Sequence, residues 1–394
     1  MPDMIPAPRR RPLWRLFIMP ALVVVAAAAW SGFWFYAASE AGVRADAWAA
    51  QEAKAGRIYA CGKRSVAGFP FRFEVRCEDA SVTLVSQTAG AQLFTARLGE
   101  ILIIAQVYQP KLLIAEFKAP ATLSDRGQPP SMRVNWTLGQ SSVYGLPDIP
   151  QRASIEFNNP SIDRVNGPVA TPLAKAGHVE LHGRLAEGST TDQPVIETAL
   201  QIKAGSVEEL HPVLAAPFDA DIQTRLTGLK DFSPKPWPER FRELQAAGGH
   251  VEIVRSRIQQ GDLVSVAAGT LSLNAQGRIE GELQMTVAGI ERVIPALGIE
   301  KMLEEGVPQA TLDRVAPGVR SQDLNNLFGA LDRAIPGLGK VVKQNANAGV
   351  AAGINSLGKE AELEGKKARA FPLRFVDGGV FLGPLKVGQV PPLF

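Results

Sequence analysis

The residues with the clearest chemical potential are two histidines and a glutamate in one short run, His178, Glu180 and His182. Imidazole and carboxylate groups are ligands that Zn²⁺ prefers, and alternate residues of a strand share one face. However, residues four apart on a strand are about 13 Å apart along its axis, whereas each imidazole must come within about 2 Å of the metal. The pair would chelate on a helix, but the alternation and the flanking Gly177 and Gly183 favour a strand. We therefore predict an exposed strand face that binds no metal and no other cofactor.

One stretch near the C-terminal end comes close to a phosphate-binding motif and to a nucleophile motif but matches neither. Gly353 and Gly358-Lys359 have P-loop spacing, but Glu360 replaces the Ser or Thr that holds Mg²⁺, and no strand leads into them. The same stretch is not a G-x-S-x-G elbow, because one residue too many precedes Ser356. We expect no catalytic residues, and an enzyme of unrecognised class is the least favoured function.

Cys61 and Cys77 are the chain's two cysteines and flank a turn predicted at Ala67-Gly68. In an oxidising compartment such a pair forms a structural disulfide. Redox catalysis requires the C-x-x-C spacing, which this pair lacks. The pair is therefore predicted to close a loop, which stabilises the fold by roughly 3 kcal/mol.

The elements that would position these groups begin with an apolar run without charges at residues 16–38. As a helix it is about 34 Å long, enough to cross a hydrocarbon core of about 30 Å. Four arginines in residues 1–15 predict a basic tail retained in the cytoplasm, so the bulk of the chain is periplasmic and the span lies in a bacterial inner membrane. The alternative is a signal peptide cleaved near Ala38, although its apolar core would be longer than the usual 7 to 15 or so residues.

The surplus positive charge of the chain lies before this span. Residues 1–38 hold four arginines and one aspartate, so residues 39–394 keep 38 of the 42 basic and 38 of the 39 acidic residues. The exported part is therefore neutral, although the whole chain carries +3. A neutral domain has no surplus positive charge with which to neutralise phosphates, so nucleic acid is excluded as a partner.

The exported part shows two kinds of pattern. Residues 39–57 are rich in helix formers and predict a helical stalk. Residues 58–286 alternate between apolar and polar positions and predict an antiparallel β region, in which 249–287 divide into four short runs at 260–262, 268–269 and 276–277. Residues 287–360 read as helices, with an apolar stripe at Leu324, Leu327, Phe328, Leu331 and Ile335.

Residues 361–394 complete the sheet with a hairpin at Asp377-Gly378-Gly379. The predicted fold is mainly β with α (α+β). A transmembrane helix and stalk precede a curved or sandwich-like antiparallel sheet with a helical insertion.

A five-residue motif, Phe69-Pro70-Phe71-Arg72-Phe73, recurs as Phe371-Pro372-Leu373-Arg374-Phe375. Each copy follows a Gly-Lys-basic triplet. We interpret the two as equivalent strand starts at the two ends of one sheet. The alternatives are a chance match and the residue preferences that all strands and turns share.

The stretch from Ala60 to Cys77, placed shortly after a single anchor, resembles an uncharacterised family of alphaproteobacterial envelope proteins with a domain of unknown function. The resemblance covers most of the exported chain and implies location and architecture. The runs 269–283 and 380–388 look more loosely like strands of AsmA-like envelope proteins. Those have one N-terminal anchor and long curved sheets with an apolar inner face, implicated in lipid traffic.

The leading functional hypothesis is a non-catalytic, membrane-anchored periplasmic protein that binds or guides a lipid along an apolar groove of the sheet. The alternative is a scaffold or assembly partner that binds another envelope protein through an exposed sheet edge or the stripe from Leu324 to Ile335.

Overall fold

The structure, a computed structural model, describes most of the chain. The described residues are 14–85, 92–231 apart from 126, 147, 191 and 209–211, 237–290, and 358–394 apart from 384, together with scattered residues of 303–349. Most of the predicted helical segment, including Leu324, Leu327, Phe328 and Leu331, lies outside this part of the chain.

The described elements are four helices and nineteen strands. The helices are α1 Trp14–Lys54, α2 Pro212–Ala215, α3 Trp237–Ala246 and α4 Leu338–Gln344. The first ten strands are β1 Arg57–Ala67, β2 Arg72–Val85, β3 Gln92–Gln106, β4 Gln109–Asp125, β5 Met132–Asn135, β6 Leu138–Tyr144, β7 Arg152–Asn158, β8 Ser161–Arg164, β9 Thr171–Lys175 and β10 His178–Leu185. The other strands are β11 Ile196–Val207, β12 Phe218–Leu226, β13 His250–Gln260, β14 Leu263–Leu273, β15 Ile279–Ala288, β16 Lys359–Leu363, β17 Lys366–Val376, β18 Gly379–Leu382 and β19 Leu385–Gln389.

All described strands belong to one antiparallel sheet, which confirms the predicted fold class. β1 to β4 form a meander, and the two halves of β4 then pair with different strands. One series runs from β4 through β6, β7 and β10, the other through β5, β8 and β9, and both reach β11. From β11 the sheet continues through β12, β13, β14, β15, β17 and β18 to β19, and β16 pairs with β17.

A line of irregular backbone, here called the crease, crosses the first eleven strands at matching positions. Asp79, Asn159 and Ala204 have positive φ angles of 53°, 49° and 49° there. The pairing of β3 with β4 skips at Gly99. The crease consists of Gly62, Asp79, Gly99, Ala119–Pro120, Trp136–Thr137, Asn159–Pro160, Ala176–Gly177 and Ala204. Because inserted residues bend and twist a strand, the sheet changes direction along this line.

One face of the sheet is apolar from the first strands to the last, because side chains of paired residues point the same way. One laterally paired row is Val75, Ile103, Ala115, Ser141, Ile155, Leu181, Leu200, Ile222 and Ser256. A second row, beyond the crease, is Ala80, Leu98, Ala121, Val134, Ile162, Ala174 and Val207. The opposite, polar face carries rows such as Glu156, Glu180, Gln201, Asp221 and Arg257.

Burial of this apolar face differs between its two ends. At the C-terminal end, Phe371 and Leu283 are 1% and 7% exposed. Nearer the N-terminal end, Ile103 and Leu181 are 38% and 40% exposed. The apolar face is therefore a tight core around β14, β15 and β17 and a half-open surface around β3 to β10.

Two expectations drawn from the sequence are wrong. The run 249–287 forms three strands, not four, because β14 continues through Ala268 and Gly269, where Gly269 adopts φ 149° against the backbone of β15. The two copies of the five-residue motif are not equivalent strand starts. The first copy has Phe69, Pro70 and Phe71 in the turn and enters β2 at Arg72, whereas all five residues of the second lie inside β17. The hairpin at Asp377-Gly378 is present, with both residues at positive φ as a two-residue turn requires.

Helix α1 includes the predicted span and runs on through the predicted stalk to Lys54. It is the one described helix that is long and apolar enough to cross a membrane. Its C-terminal half runs antiparallel to the edge strand β1, so that Trp48 packs on Tyr59 and Glu52 pairs with Arg57. The sheet is thus fixed directly to the apolar helix.

Candidate functional site

An aromatic cluster joins α1 to the turn between β1 and β2. The Trp30 Nε1 donates a hydrogen bond to the Pro70 carbonyl oxygen at 3.0 Å, and the Trp34 Nε1 donates one to the Arg72 carbonyl oxygen at 3.1 Å. The Trp34 ring stacks on Phe73 with centroids 5.4 Å apart. Trp34 is only 4% exposed, so this contact holds the turn between β1 and β2 against the helix.

A second set of contacts joins the stalk to the other half of β1. The Arg64 guanidinium donates two hydrogen bonds to the Asp46 carboxylate, at 2.5 and 2.8 Å. The hydrogen bond from Arg64 lowers the pKa of Asp46. Two residues further along the helix, the Trp48 ring lies 4.7 Å from the Tyr59 ring. The helix is thus held to β1 at both ends of the strand.

Beside this second set of contacts, α1 and the apolar face line a cavity of about 720 Å³. Its walls come from α1, β1 to β4 and β7, together with Trp136 at the crease. The apolar side chains that line it are Trp48, Tyr59, Val82, Leu98, Ile101, Ile103, Phe117, Trp136, Ile155 and Phe157. We call it the stalk cavity.

Small residues create the space in the stalk cavity. Alanines contribute to the lining from the helix and from four strands: Ala45, Ala49, Ala60, Ala80, Ala96 and Ala121. Cys61 and Cys77 also line it and form a disulfide with their Cα atoms 5.6 Å apart. The bridge ties β1 to β2 close to the crease, one residue from Gly62 and two residues from Asp79. The disulfide therefore fixes a wall of the cavity.

The stalk cavity lies across the crease. Its lining includes residues on both sides of that line in β2, β3 and β4, such as Cys77 and Ala80 or Ile101 and Leu98. Tyr59 and Ile103 remain 38% exposed although both line the cavity. The cavity is therefore an open, apolar recess that a ligand can enter without unfolding the sheet.

The charged groups around the stalk cavity are few. Asp46 and Arg64 pair with each other, and Arg97 is the third charged residue in the lining. A charged ligand would find little compensation among apolar walls, whereas an alkyl chain would bury apolar surface at a gain of about 0.8 kcal/mol per methylene. The lining therefore fits a long-chain apolar ligand.

The polar face carries a separate cleft of about 760 Å³. At its centre the Glu197 carboxylate accepts hydrogen bonds from Arg225 at 2.7 Å and from Arg184 at 2.9 Å. These two hydrogen bonds, that from Arg225 first, lower the pKa of Glu197. The three groups satisfy one another, so this cluster ties β10, β11 and β12 together.

The predicted histidine run lies on this polar face, within β10. Glu180 lies between the two imidazoles: His182 Nε2 is hydrogen bonded to it, and His178 Nε2 lies 3.5 Å from it. His178 Nδ1 also lies 2.7 Å from the Asn158 side-chain oxygen. Burial tends to raise the pKa of Glu180, but the hydrogen bonds and charges of His182 and His178 outweigh it and lower that pKa. Among the described residues, no group of three or more His, Cys, Asp or Glu side chains is arranged to hold a metal ion.

The residues of the predicted motif divide between two places. Phe73 packs against Trp34, and Phe69 lies edge-on to the same ring at 5.5 Å. Phe71 points outward and is 66% exposed. Sequence reasoning identified the motif and the cysteines but missed the cavity-lining residues of β3, β4 and β7. Their alternation had marked them as strand residues, but nothing in it shows that they face the stalk.

The chain belongs to a family described as an uncharacterized protein conserved in bacteria (DUF2125), whose model matches residues 34–391. The match covers the whole sheet and the last part of α1, as the resemblance of the cysteine-bracketed stretch implies. None of the curated proteins matches the chain.

Proposed function

We propose that this protein is a non-catalytic, inner-membrane-anchored periplasmic protein that holds the acyl part of a lipid in the stalk cavity and on the adjoining apolar face. The observation that carries the proposal is the half-open apolar recess of about 720 Å³ between the sheet and α1, a helix long and apolar enough to cross a membrane. Binding sites for small ligands have volumes of about 300 to 1,000 Å³ and mostly apolar walls.

The apolar face supports the proposal beyond the cavity. A one-sided antiparallel sheet normally covers its apolar face with another layer. Here Ile103 and Leu181 lie in one laterally paired row and are both more than a third exposed. The row leads from the cavity wall toward β10 and is apolar except at Ser141, so an acyl chain has a mostly apolar path across the sheet.

The topology rests on charge and on cysteine chemistry. The arginines before the span favour a cytoplasmic N-terminus, which leaves the sheet in the periplasm. The disulfide between Cys61 and Cys77 is stable in that oxidising compartment. Proteolysis of spheroplasts tests this placement: the sheet should be degraded from outside, and protection of the sheet would refute it.

The ligand is tested with a photoactivatable benzoylphenylalanine in the full-length protein in bacteria. The probe replaces Ile103, which lines the cavity, or Ile258, which lies on the same apolar face outside the cavity and is equally exposed at 38%. After irradiation, mass spectrometry should find lipid adducts at position 103 in excess over position 258. Absence of adducts at 103, or equal yields at both positions, would overturn the proposal.

A further inference from the structure

The exposed tips of the sheet nearest to α1 form an aromatic surface. Phe69 and Phe71, in the turn between β1 and β2, are 49% and 66% exposed. Tyr108, in the turn between β3 and β4, is 76% exposed. The two turns are adjacent, because the Val107 backbone N–H donates a hydrogen bond to the Phe71 carbonyl oxygen at 3.0 Å. We call this group of three rings the aromatic tips.

The height of the aromatic tips relative to the membrane follows from the length of α1. The helix starts at Trp14 and makes its first hydrogen bond to the sheet at Trp30. Sixteen residues of α-helix rise about 24 Å, whereas the hydrocarbon core of a bilayer is about 30 Å thick. The arginines that precede the predicted span favour the cytoplasmic side for that end of the helix. A tilted helix would reach even less far along the bilayer normal.

Trp30 therefore lies at or below the far boundary of the hydrocarbon core, and so does the turn that it binds. Pro70 accepts the hydrogen bond of Trp30, and Phe69 stacks on Phe35 of the same helix with centroids 5.9 Å apart. Aromatic rings favour the headgroup layer because they combine an apolar body with polar edges.

The chemistry around the aromatic tips agrees with this depth. The charged residues next to the two turns are paired with neighbours: Arg72 with Glu74 at 2.5 Å and Lys111 with Asp148 at 3.0 Å. In the part of the chain that the structure describes, no cation lies over the ring of Phe69, Phe71 or Tyr108, so their exposed surface is open to the lipid.

We propose that Phe69, Phe71 and Tyr108 insert into the headgroup layer of the bilayer that α1 crosses, as a second membrane contact of this protein. The contact fixes the orientation of the sheet relative to the bilayer. It also places the end of the apolar face that lies next to the aromatic tips at the lipid surface. The occupant of this surface is the bilayer itself. The inference rests on the membrane-spanning part of the proposed function and does not depend on the lipid bound in the stalk cavity.

The test uses nitroxide spin labels on the full-length protein in lipid bilayers. The native cysteines are joined in the disulfide and do not react, so single labels can be placed at Phe71→Cys, Tyr108→Cys and Val169→Cys. Val169 is the control, because it is 75% exposed and lies in the turn between β8 and β9 at the opposite end of the strands. Collision rates with oxygen and with a water-soluble nickel complex give the depth of each label.

The labels at 71 and 108 should collide with oxygen more often, and with the nickel complex severalfold less often, than the label at 169. Equal nickel accessibility at all three positions would overturn the inference and leave the stalk-cavity proposal standing. Exclusion of both reagents from 71 and 108 would also overturn it, because a protein partner would then cover the tips. Failure of the protein to associate with the bilayer would refute both the anchor and the inserted tips.

Discussion

The substitution Ile103→Asp tests whether the stalk cavity holds an acyl chain. Ile103 lines the cavity and is 38% exposed, so a bound chain covers about the last third of its surface. Full burial of an isoleucine is worth about 1.5 to 3 kcal/mol, so this contact contributes about 0.6 to 1.1 kcal/mol. An unpaired polar group pressed against the chain costs about 1 to 3 kcal/mol more. Since 1.4 kcal/mol is tenfold in an equilibrium constant, we expect lipid occupancy to fall by about tenfold or more.

The fold should tolerate this change. In the ligand-free protein the new carboxylate reaches water through the exposed part of the site, and the strand-propensity cost is about 1 kcal/mol or less. Ile258→Asp is the matched control: it has the same residue type, the same 38% exposure and the same face, but lies outside the cavity. Both variants should keep the thermal midpoint within a few degrees of each other.

The assay is the yield of lipid adducts at a benzoylphenylalanine placed at Phe117, which also lines the cavity. Ile103→Asp should reduce this yield about tenfold or more, and Ile258→Asp should leave it unchanged. Equal yields in the two variants would refute the reasoning, because the loss or retention of lipid would then have nothing to do with the cavity.

Three further outcomes follow from the contacts described. Replacing Cys61 and Cys77 together with serine should lower the free energy of unfolding by about 3 kcal/mol in denaturant titrations, since it frees a loop with a sequence separation of 16 residues, and an unchanged midpoint would contradict this. Phe371→Ala should cost about 3 to 5 kcal/mol in the same titrations, because Phe371 is 1% exposed. The pKa of Glu197 is lowered on folding by Arg225 and Arg184, so its contribution is present above the unfolded pKa of about 4.3 and is lost as the pH falls toward the folded value. Glu197→Gln should therefore flatten the decline of the thermal midpoint in acid, and parallel declines in both proteins would refute that assignment.

The sequence was sufficient for features that depend on neighbouring residues only. The uncharged run at 16–38 predicted a helix that can span a membrane, because length and apolarity decide that property. Alternation predicted one apolar and one polar face, because side chains of a strand point to opposite sides in turn. The same two-residue alternation predicted that polar side chains two positions apart, such as His178 and Glu180, lie on one face.

The tertiary structure decided what the apolar face encloses. Ala45 of the stalk and Phe157 of β7 are far apart in the chain but line one cavity. Strand pairing places β7 next but one to β4, through β6, and β1 turns back along α1. The five-residue motif shows the same limit: Phe71 and Leu373 occupy equivalent positions in the sequence but lie in a turn and a strand interior. The local pattern determines which face of the sheet a residue lies on. The register between strands, the crease and the position of α1 on the sheet depend on packing between distant segments.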